Sequence, residues 1–240
     1  MLPQTISLET LTPEVVAKTI DHALLKPEMT VDEVIEGCRL CAKYNVASVC
    51  VKSCDVSIAV KELQGTGVDV GTVIGFPHGN TSANIKVLEA IQALDDGAVE
   101  LDVVLNISHL RSGLYDKVRD ELKGIVAAAK DRLPTCCTKV IFECSLLSDR
   151  EKIVACQLAE EAGADYVKTS TGFSTGGATI DDLRLMRANT DPAKTHIKAS
   201  GGIRTLDYLV ECLQAGADRI GVSATAAIID DMRERKARLV

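Results

Sequence analysis

Gly163-Ala164-Asp165-Tyr166-Val167-Lys168-Thr169-Ser170-Thr171-Gly172-Phe173 reads as a helix end at Gly163, a short buried strand and a small polar turn. A lysine closes the strand, where a charge is costly unless it is paired, hydrogen-bonded or neutralised. Thirty residues on, Thr195-His196-Ile197-Lys198-Ala199-Ser200-Gly201-Gly202-Ile203-Arg204 repeats the design: strand, lysine, glycine turn. Two such strands, each followed by helical periodicity, point to repeated parallel β–α units.

The same alternation extends over the chain. Thr12-Pro13 is an N-cap and first helical residue for a short N-terminal helix. Strands are expected at 18–22, 47–51, 68–76, 99–105, 138–144, the two lysine segments, and 219–222. Helices fall between them, opened in two places by capping boxes, Thr30-Val31-Asp32-Glu33 and Ser148-Asp149-Arg150-Glu151. One long helix is expected from the fourth strand to about Asp131. Eight units of roughly thirty residues predict a closed (β/α)8 (TIM) barrel filling residues 1–240 as a single domain. An open doubly wound sheet uses the same units. It is disfavoured because no Gly-x-Gly-x-x-Gly follows the first strand.

Composition agrees. The chain has 240 residues and aromatics are only 3%, so Ala, Val, Ile and Leu must fill the core. That suits parallel strands covered by helices. A net charge of −7, with no basic run, argues against nucleic acid. No apolar run is long enough to cross a bilayer. The N-terminal Met1-Leu2-Pro3-Gln4-Thr5-Ile6-Ser7 has neither the basic region nor the apolar core of a signal peptide. Nine cysteines in such a chain read as reduced thiols of a cytoplasmic protein.

Alternation along each strand sorts the side chains. Ile20, Val49, Val51, Leu101, Val103, Val140, Val167 and Ile197 form the apolar face that packs on helices. Asp21, Ser48, Cys50, Glu100, Asp102, Lys139, Glu143, Lys168 and Lys198 take the opposite face, into the barrel. Asp21, Cys50, Asp102, Glu143, Lys168 and Lys198 are expected near strand C-termini, where barrel enzymes carry their sites. A buried ion-pair network that only supports the fold is the plain alternative, but such networks are weak stabilisers.

Lysine is a nucleophile only when neutral, and its ordinary pKa is about 10.4. Desolvation and a neighbouring cation both lower it. Adjacent strands lie about 4.8 Å apart, so Lys168 and Lys198 are expected as neighbours. One attacks a carbonyl to form a Schiff base and the other depresses its pKa. Asp102 is the candidate proton shuttle. This set suits making or breaking a carbon–carbon bond. Ser200-Gly201-Gly202, Gly221-Val222-Ser223 and Thr171-Gly172 are expected to bind a phosphate after strands 6 to 8. Cys38-x-x-Cys41 lies mid-helix without a second pair and is read as packing. Cys50 faces the mouth with no histidine to activate it.

At these residues the sequence resembles the deoxyribose-phosphate aldolases. The matching stretches are Ile20–Pro27, Val73–Gly79, Glu100–Asn106, Lys139–Glu143, Val167–Phe173 and Lys198–Thr205, in the family's order. The resemblance implies a class I aldolase without metal or cofactor that reversibly splits 2-deoxy-D-ribose 5-phosphate into acetaldehyde and D-glyceraldehyde 3-phosphate. It implies the Schiff base at Lys168, the neighbouring cation at Lys198 and the proton shuttle at Asp102. Asp21 would bind a sugar hydroxyl or support the lysines. Cys50, Thr171, Gly172, Ser200, Gly201, Gly202, Gly221 and Ser223 are the substrate-binding set. Some members carry two adjacent serines after the last strand, where this chain has Ser223-Ala224. Some also have a longer tail than Arg238-Leu239-Val240. The other readings are a lysine-dependent barrel aldolase for a different phosphorylated aldehyde, and a non-catalytic phosphosugar-binding barrel. The sequence leaves a homo-oligomer open.

Overall fold

Eight parallel strands pair in chain order and the eighth returns to the first, closing a barrel. The computed structural model describes residues 5–238. Residues 1–4 and 239–240, on which the expectations about a leader and a tail largely rest, lie outside the described residues. In chain order the elements are α1 (Pro13–Ala17), β1 (Ile20–Leu24), α2 (Val31–Tyr44), β2 (Ser48–Val51), α3 (Val56–Glu62), β3 (Asp69–Ile74) and α4 (Ala83–Asp95). They continue as β4 (Glu100–Val104), α5 (Ile107–Arg111), α6 (Tyr115–Arg132), β5 (Cys137–Ile141), α7 (Asp149–Glu161) and β6 (Tyr166–Lys168). The last are α8 (Ile180–Ala188), β7 (His196–Ser200), α9 (Leu206–Gln214), β8 (Arg219–Val222) and α10 (Thr225–Ala237).

Local chemistry sets the boundaries. Thr12 accepts from Val15 N and Pro13 begins α1. Both expected capping boxes form, Thr30 with Glu33 and Ser148 with Glu151, each satisfying orphan N–H groups of a first turn. The long helix expected after β4 is instead two. Asn106 caps the short α5. Gly113, at φ +71°, then turns the chain before α6 begins at Tyr115. Only a residue without a Cβ takes this conformation cheaply.

Several strands are shorter than alternation predicts, and β1 is shifted along the chain. β1 begins at Ile20, not Lys18, and β3 ends at Ile74. β5 stops at Ile141, because Glu143 sits in the left-handed region at φ 58°. Glu143 is therefore past the sheet and not a strand residue.

The face assignment otherwise holds. Ile20, Val49, Val51, Leu101, Val103, Val140, Val167 and Ile197 belong to one continuous buried cluster with the helices. A second, small cluster of Leu25, Cys50 and Val73, flanked by Ala23 and Phe76, lies inside. No described helix is long and apolar enough to cross a membrane.

Candidate active site

Lys168 and Lys198 are register partners on adjacent strands. Their ammonium nitrogens reach one oxygen, Asp102 Oδ2, at 2.6 Å and 2.7 Å. All three side chains are buried. Strand 4 supplies the carboxylate, and strands 6 and 7 bring the two amines to it. Parity alone puts these groups inside, and closure of the barrel brings them together.

The set continues toward the floor. Lys198 Nζ also lies 2.6 Å from Asp21 Oδ2. Lys139 Nζ lies 2.7 Å from Glu100 Oε2, 3.1 Å from Asp102 Oδ1 and 3.7 Å from Asp21 Oδ2. Arg219 donates from Nε to Asp21 Oδ1 at 2.6 Å, and from Nη2 to Ser48 Oγ at 3.0 Å and Glu100 Oε1 at 3.1 Å. Asp21 thus pairs with Lys198 and Arg219 and lies beside Lys139. Asp21, Asp102 and Lys198 stand at mid-strand depth, not at strand C-termini: β1 runs two residues beyond its expected end, β7 runs two residues past Lys198, and Asp102 is the middle residue of β4. Lys139, Glu100 and Arg219 were not among the sequence candidates for the site. The available signal was their place on inward-facing strand positions.

Electrostatics separates the two amines. Burial pushes Lys168 below the ordinary lysine range; Asp102 pulls the other way, and the Lys198 cation adds to the lowering. For Lys198 burial acts in the same direction, but Asp102 and Asp21 outweigh it and the amine is raised. Lys139 is raised well above the usual range, where Asp102, Glu100 and Asp21 overcome burial. Asp102 meets a burial cost as well, and Lys139, Lys168 and Lys198 overcome it, holding the carboxyl well below its usual range. Of the two amines Lys168 gives up its proton the more readily, and Lys198 holds its own more firmly beside it.

Phe76 and Phe173, from the loops after β3 and β6, meet edge to face with ring centroids 5.2 Å apart. Those strands lie across the barrel, so the pair bridges the mouth. Two cavities adjoin it, both touching Pro77 and Phe173. One of about 580 Å³ includes His78, Ser108, Arg111, Glu143 and Thr171; the other, of about 360 Å³, includes Leu25, Lys52, Val73 and Phe76. Lys168, 3% exposed, lines neither.

The expected substrate-binding residues divide. Gly172, Gly201 and Gly202 have φ of +84°, +89° and +78°, and a Cβ on Gly172 or Gly202 would meet nothing within 4 Å. Gly172, Gly202 and Ser223 are exposed at the mouth, and α10 begins two residues after Ser223. These positions can present backbone N–H groups to an anion. Gly221 lies within β8, not in the loop beyond it. A Cβ there would come within 2.8 Å of Ser200 Cβ and 3.3 Å of Lys198 Cε. Ser200 spends its hydroxyl on Ser170 O at 2.7 Å, tying β7 to the turn after β6. The Thr171 hydroxyl donates to Glu143 and accepts from Phe173 N at 3.0 Å. Cys50 is buried in the small inner cluster, and burial first, then Asp102, pushes its thiol up to about 11. Among the described residues no three His, Cys, Asp or Glu side chains gather as a metal-ligand group.

The family model described as DeoC/LacD family aldolase matches residues 14–229. A deoxyribose-phosphate aldolase of Caldanaerobacter subterraneus subsp. tengcongensis is 46% identical over 220 residues, covering 92% of this chain and 94% of the relative. One from Streptococcus suis is 48% identical over 213 residues, covering 89% and 94%. Among solved structures, an aldolase called QR15 superposes with a TM-score of 0.87 at 39% identity, covering 94% of this chain and 99% of that one. The tetrameric deoxyribose phosphate aldolase of Aeropyrum pernix also gives 0.87, at 33% identity and 95% coverage of each chain.

Proposed function

We propose a reaction on one premise: the chain belongs to the DeoC/LacD family of aldolases. It is a lyase that reversibly cleaves 2-deoxy-D-ribose 5-phosphate into acetaldehyde and D-glyceraldehyde 3-phosphate through a lysine Schiff base. The observation that carries the mechanism is the shared contact of Lys168 and Lys198 with Asp102 Oδ2. Family membership supports the substrate, and site geometry supports the roles.

Neutral Lys168 attacks the C1 carbonyl of the open-chain sugar. The carbinolamine loses water to give an iminium. Lys198, still protonated, can donate the proton that departing hydroxide needs. Removal of the C3 hydroxyl proton then lets the C2–C3 bond break, with its electron pair moving into an enamine. Glyceraldehyde 3-phosphate leaves. Protonation of the enamine at C2 and hydrolysis release acetaldehyde and free Lys168. Asp102, with its pKa held so low, is a weak base by itself. It moves a proton where a neighbour can take it onward, and Lys198 Nζ lies 2.7 Å away.

Leu25, Cys50, Val73 and Phe76 are an apolar group of a size to border the two-carbon fragment. The phosphate fits the glycine-rich side, at Gly172, Gly201, Gly202 and Ser223. Ala224 leaves that side one hydroxyl short of the two-serine pattern. The whole chain acts as one domain in the cytoplasm. The tetrameric Aeropyrum relative supports a homo-oligomer, which sizing in solution tests.

The direct test supplies 2-deoxy-D-ribose 5-phosphate and assays both aldehydes, with and without chelator. Equal amounts of both, insensitive to chelator, are expected. Tight binding without cleavage would indicate a phosphosugar-binding barrel. Cleavage of only a different phosphorylated aldol would indicate another lysine aldolase.

A further inference from the structure

Four cations and three carboxylates share the inner layer among the described residues: Lys139, Lys168, Lys198 and Arg219 against Asp21, Glu100 and Asp102. Three of the cations each touch at least two carboxylates. Lys139 reaches Glu100 and Asp102, Lys198 reaches Asp21 and Asp102, and Arg219 reaches Asp21 and Glu100. Lys168 touches only Asp102, through an oxygen it shares with Lys198. With one cation in excess, the layer is neutral when one amine loses its proton. The least-paired amine is the one to do so.

We propose that Lys139 is a positioning residue whose charge keeps Lys168 neutral. It sits one strand away from Lys168, on β5, fully buried, and occupies Asp102 Oδ1 and Glu100 Oε2. By taking up that carboxylate capacity it leaves Lys168 without a counter-ion of its own. The proposal rests on the reading of Lys168 as the reacting amine, and extends it to the groups that set its proton affinity.

The surroundings of Lys168 support this count. The titratable groups acting on it directly are Asp102 on β4, Lys198 on β7 and Cys50 on β2; Lys139 on β5 joins through Asp102, and Asp21 on β1 through Lys198. Strand β8 contributes Arg219 through Asp21, and β6 itself carries Tyr166, which faces Arg219. Strand β3 presents Gly71 and Val73, which carry no charge, and at its start the exposed Asp69, which acts on Glu100, Arg219 and Lys139 from the floor. Cys50, its thiol raised to about 11, adds no charge near neutrality. The buried balance is therefore set by the seven groups of the layer, with Asp69 at its solvent-exposed edge.

Two substitutions move the balance in opposite directions. Lys139→Met leaves three cations on three carboxylates, so Asp102 needs the Lys168 proton. Glu100→Gln leaves four cations on two carboxylates and preserves side-chain shape. Lys139 then leans on Asp102, and Lys168 releases its proton more readily. General loosening of the core cannot produce opposite shifts.

The test titrates the Lys168 Cε resonance by NMR in the full-length protein, assigned by its absence in Lys168→Met. The midpoint is expected to rise by about 1 pH unit or more in Lys139→Met and to fall in Glu100→Gln. Lys139→Arg should restore the wild-type midpoint. The acid limb of the cleavage rate should follow the midpoint. If Lys139→Met fails to fold, Glu100→Gln alone still decides. An unchanged midpoint, or a rise in Glu100→Gln, overturns the proposal. Midpoints moving as stated uphold it even if acetaldehyde forms no adduct on Lys168, a result that would count against the Schiff-base reading instead.

Discussion

Lys168 and Lys198 face each other across the β6–β7 pairing and share Asp102 Oδ2, yet their amines are displaced in opposite directions. The difference comes from Asp21, which lies 2.6 Å from Lys198. One lysine has a second carboxylate and the other does not. That asymmetry supports the proposed roles, Lys168 as nucleophile and Lys198 as its cationic neighbour.

Asp102→Asn removes the shared carboxylate but keeps its shape. Turnover of 2-deoxy-D-ribose 5-phosphate should fall by about 10² to 10⁴, the range lost with a positioned acid–base group. Circular dichroism should retain the helical signal. Steady-state kinetics checks this, and unchanged turnover would remove Asp102 from the mechanism.

Gly221→Ala places a methyl against Ser200 Cβ and near Lys198 Cε, at 2.8 Å and 3.3 Å before relaxation. Position 221 is not left-handed, so the effect is steric. Displacing Lys198 should lower kcat by roughly tenfold, since small misplacements of catalytic groups are costly. A change confined to KM would instead tie Gly221 to the phosphate alone.

Cys50 should be slow to alkylate. Its thiol is buried and raised to about 11, so the reactive thiolate is scarce at neutral pH and grows as pH rises toward that value. Cys54 is exposed. Peptide mapping after brief iodoacetamide treatment at pH 7.5 should find Cys54 modified first. Preferential modification of Cys50 would contradict this.

Much of the site was legible in the sequence because parity is a local property. Lys168, Lys198 and Asp102 each oppose apolar neighbours on a strand, so their inward direction follows from alternation. Lys139 and Glu100 carry the same mark, but nothing local says which inward charge meets which across a closed barrel. Glu143 was beyond alternation, because a left-handed residue ends the period-2 pattern without a glycine to signal it. The split between α5 and α6 was hidden because one Gly113 within a helical pattern is as readily tolerated as obeyed.

Lys86→Met tests the support beneath the mouth. Lys86 is fully buried, 2.6 Å from Glu121 Oε1, and donates at 2.8 Å to both Gly79 O and Val104 O. It ties the turn after β3 to the end of β4 and to α6. The substitution strands a buried carboxylate and should cost about 3–5 kcal/mol of stability. Urea denaturation measures it; a loss below about 1 kcal/mol, as for an exposed pair, would show the pair contributes little.

The most direct test is reductive trapping. With acetaldehyde and borohydride, intact-mass and peptide analysis should show one two-carbon adduct, on Lys168. Lys168→Ala should show none and should not cleave the substrate. An adduct on Lys198, or full cleavage by Lys168→Ala, would contradict the assignment of Lys168 as the Schiff-base lysine.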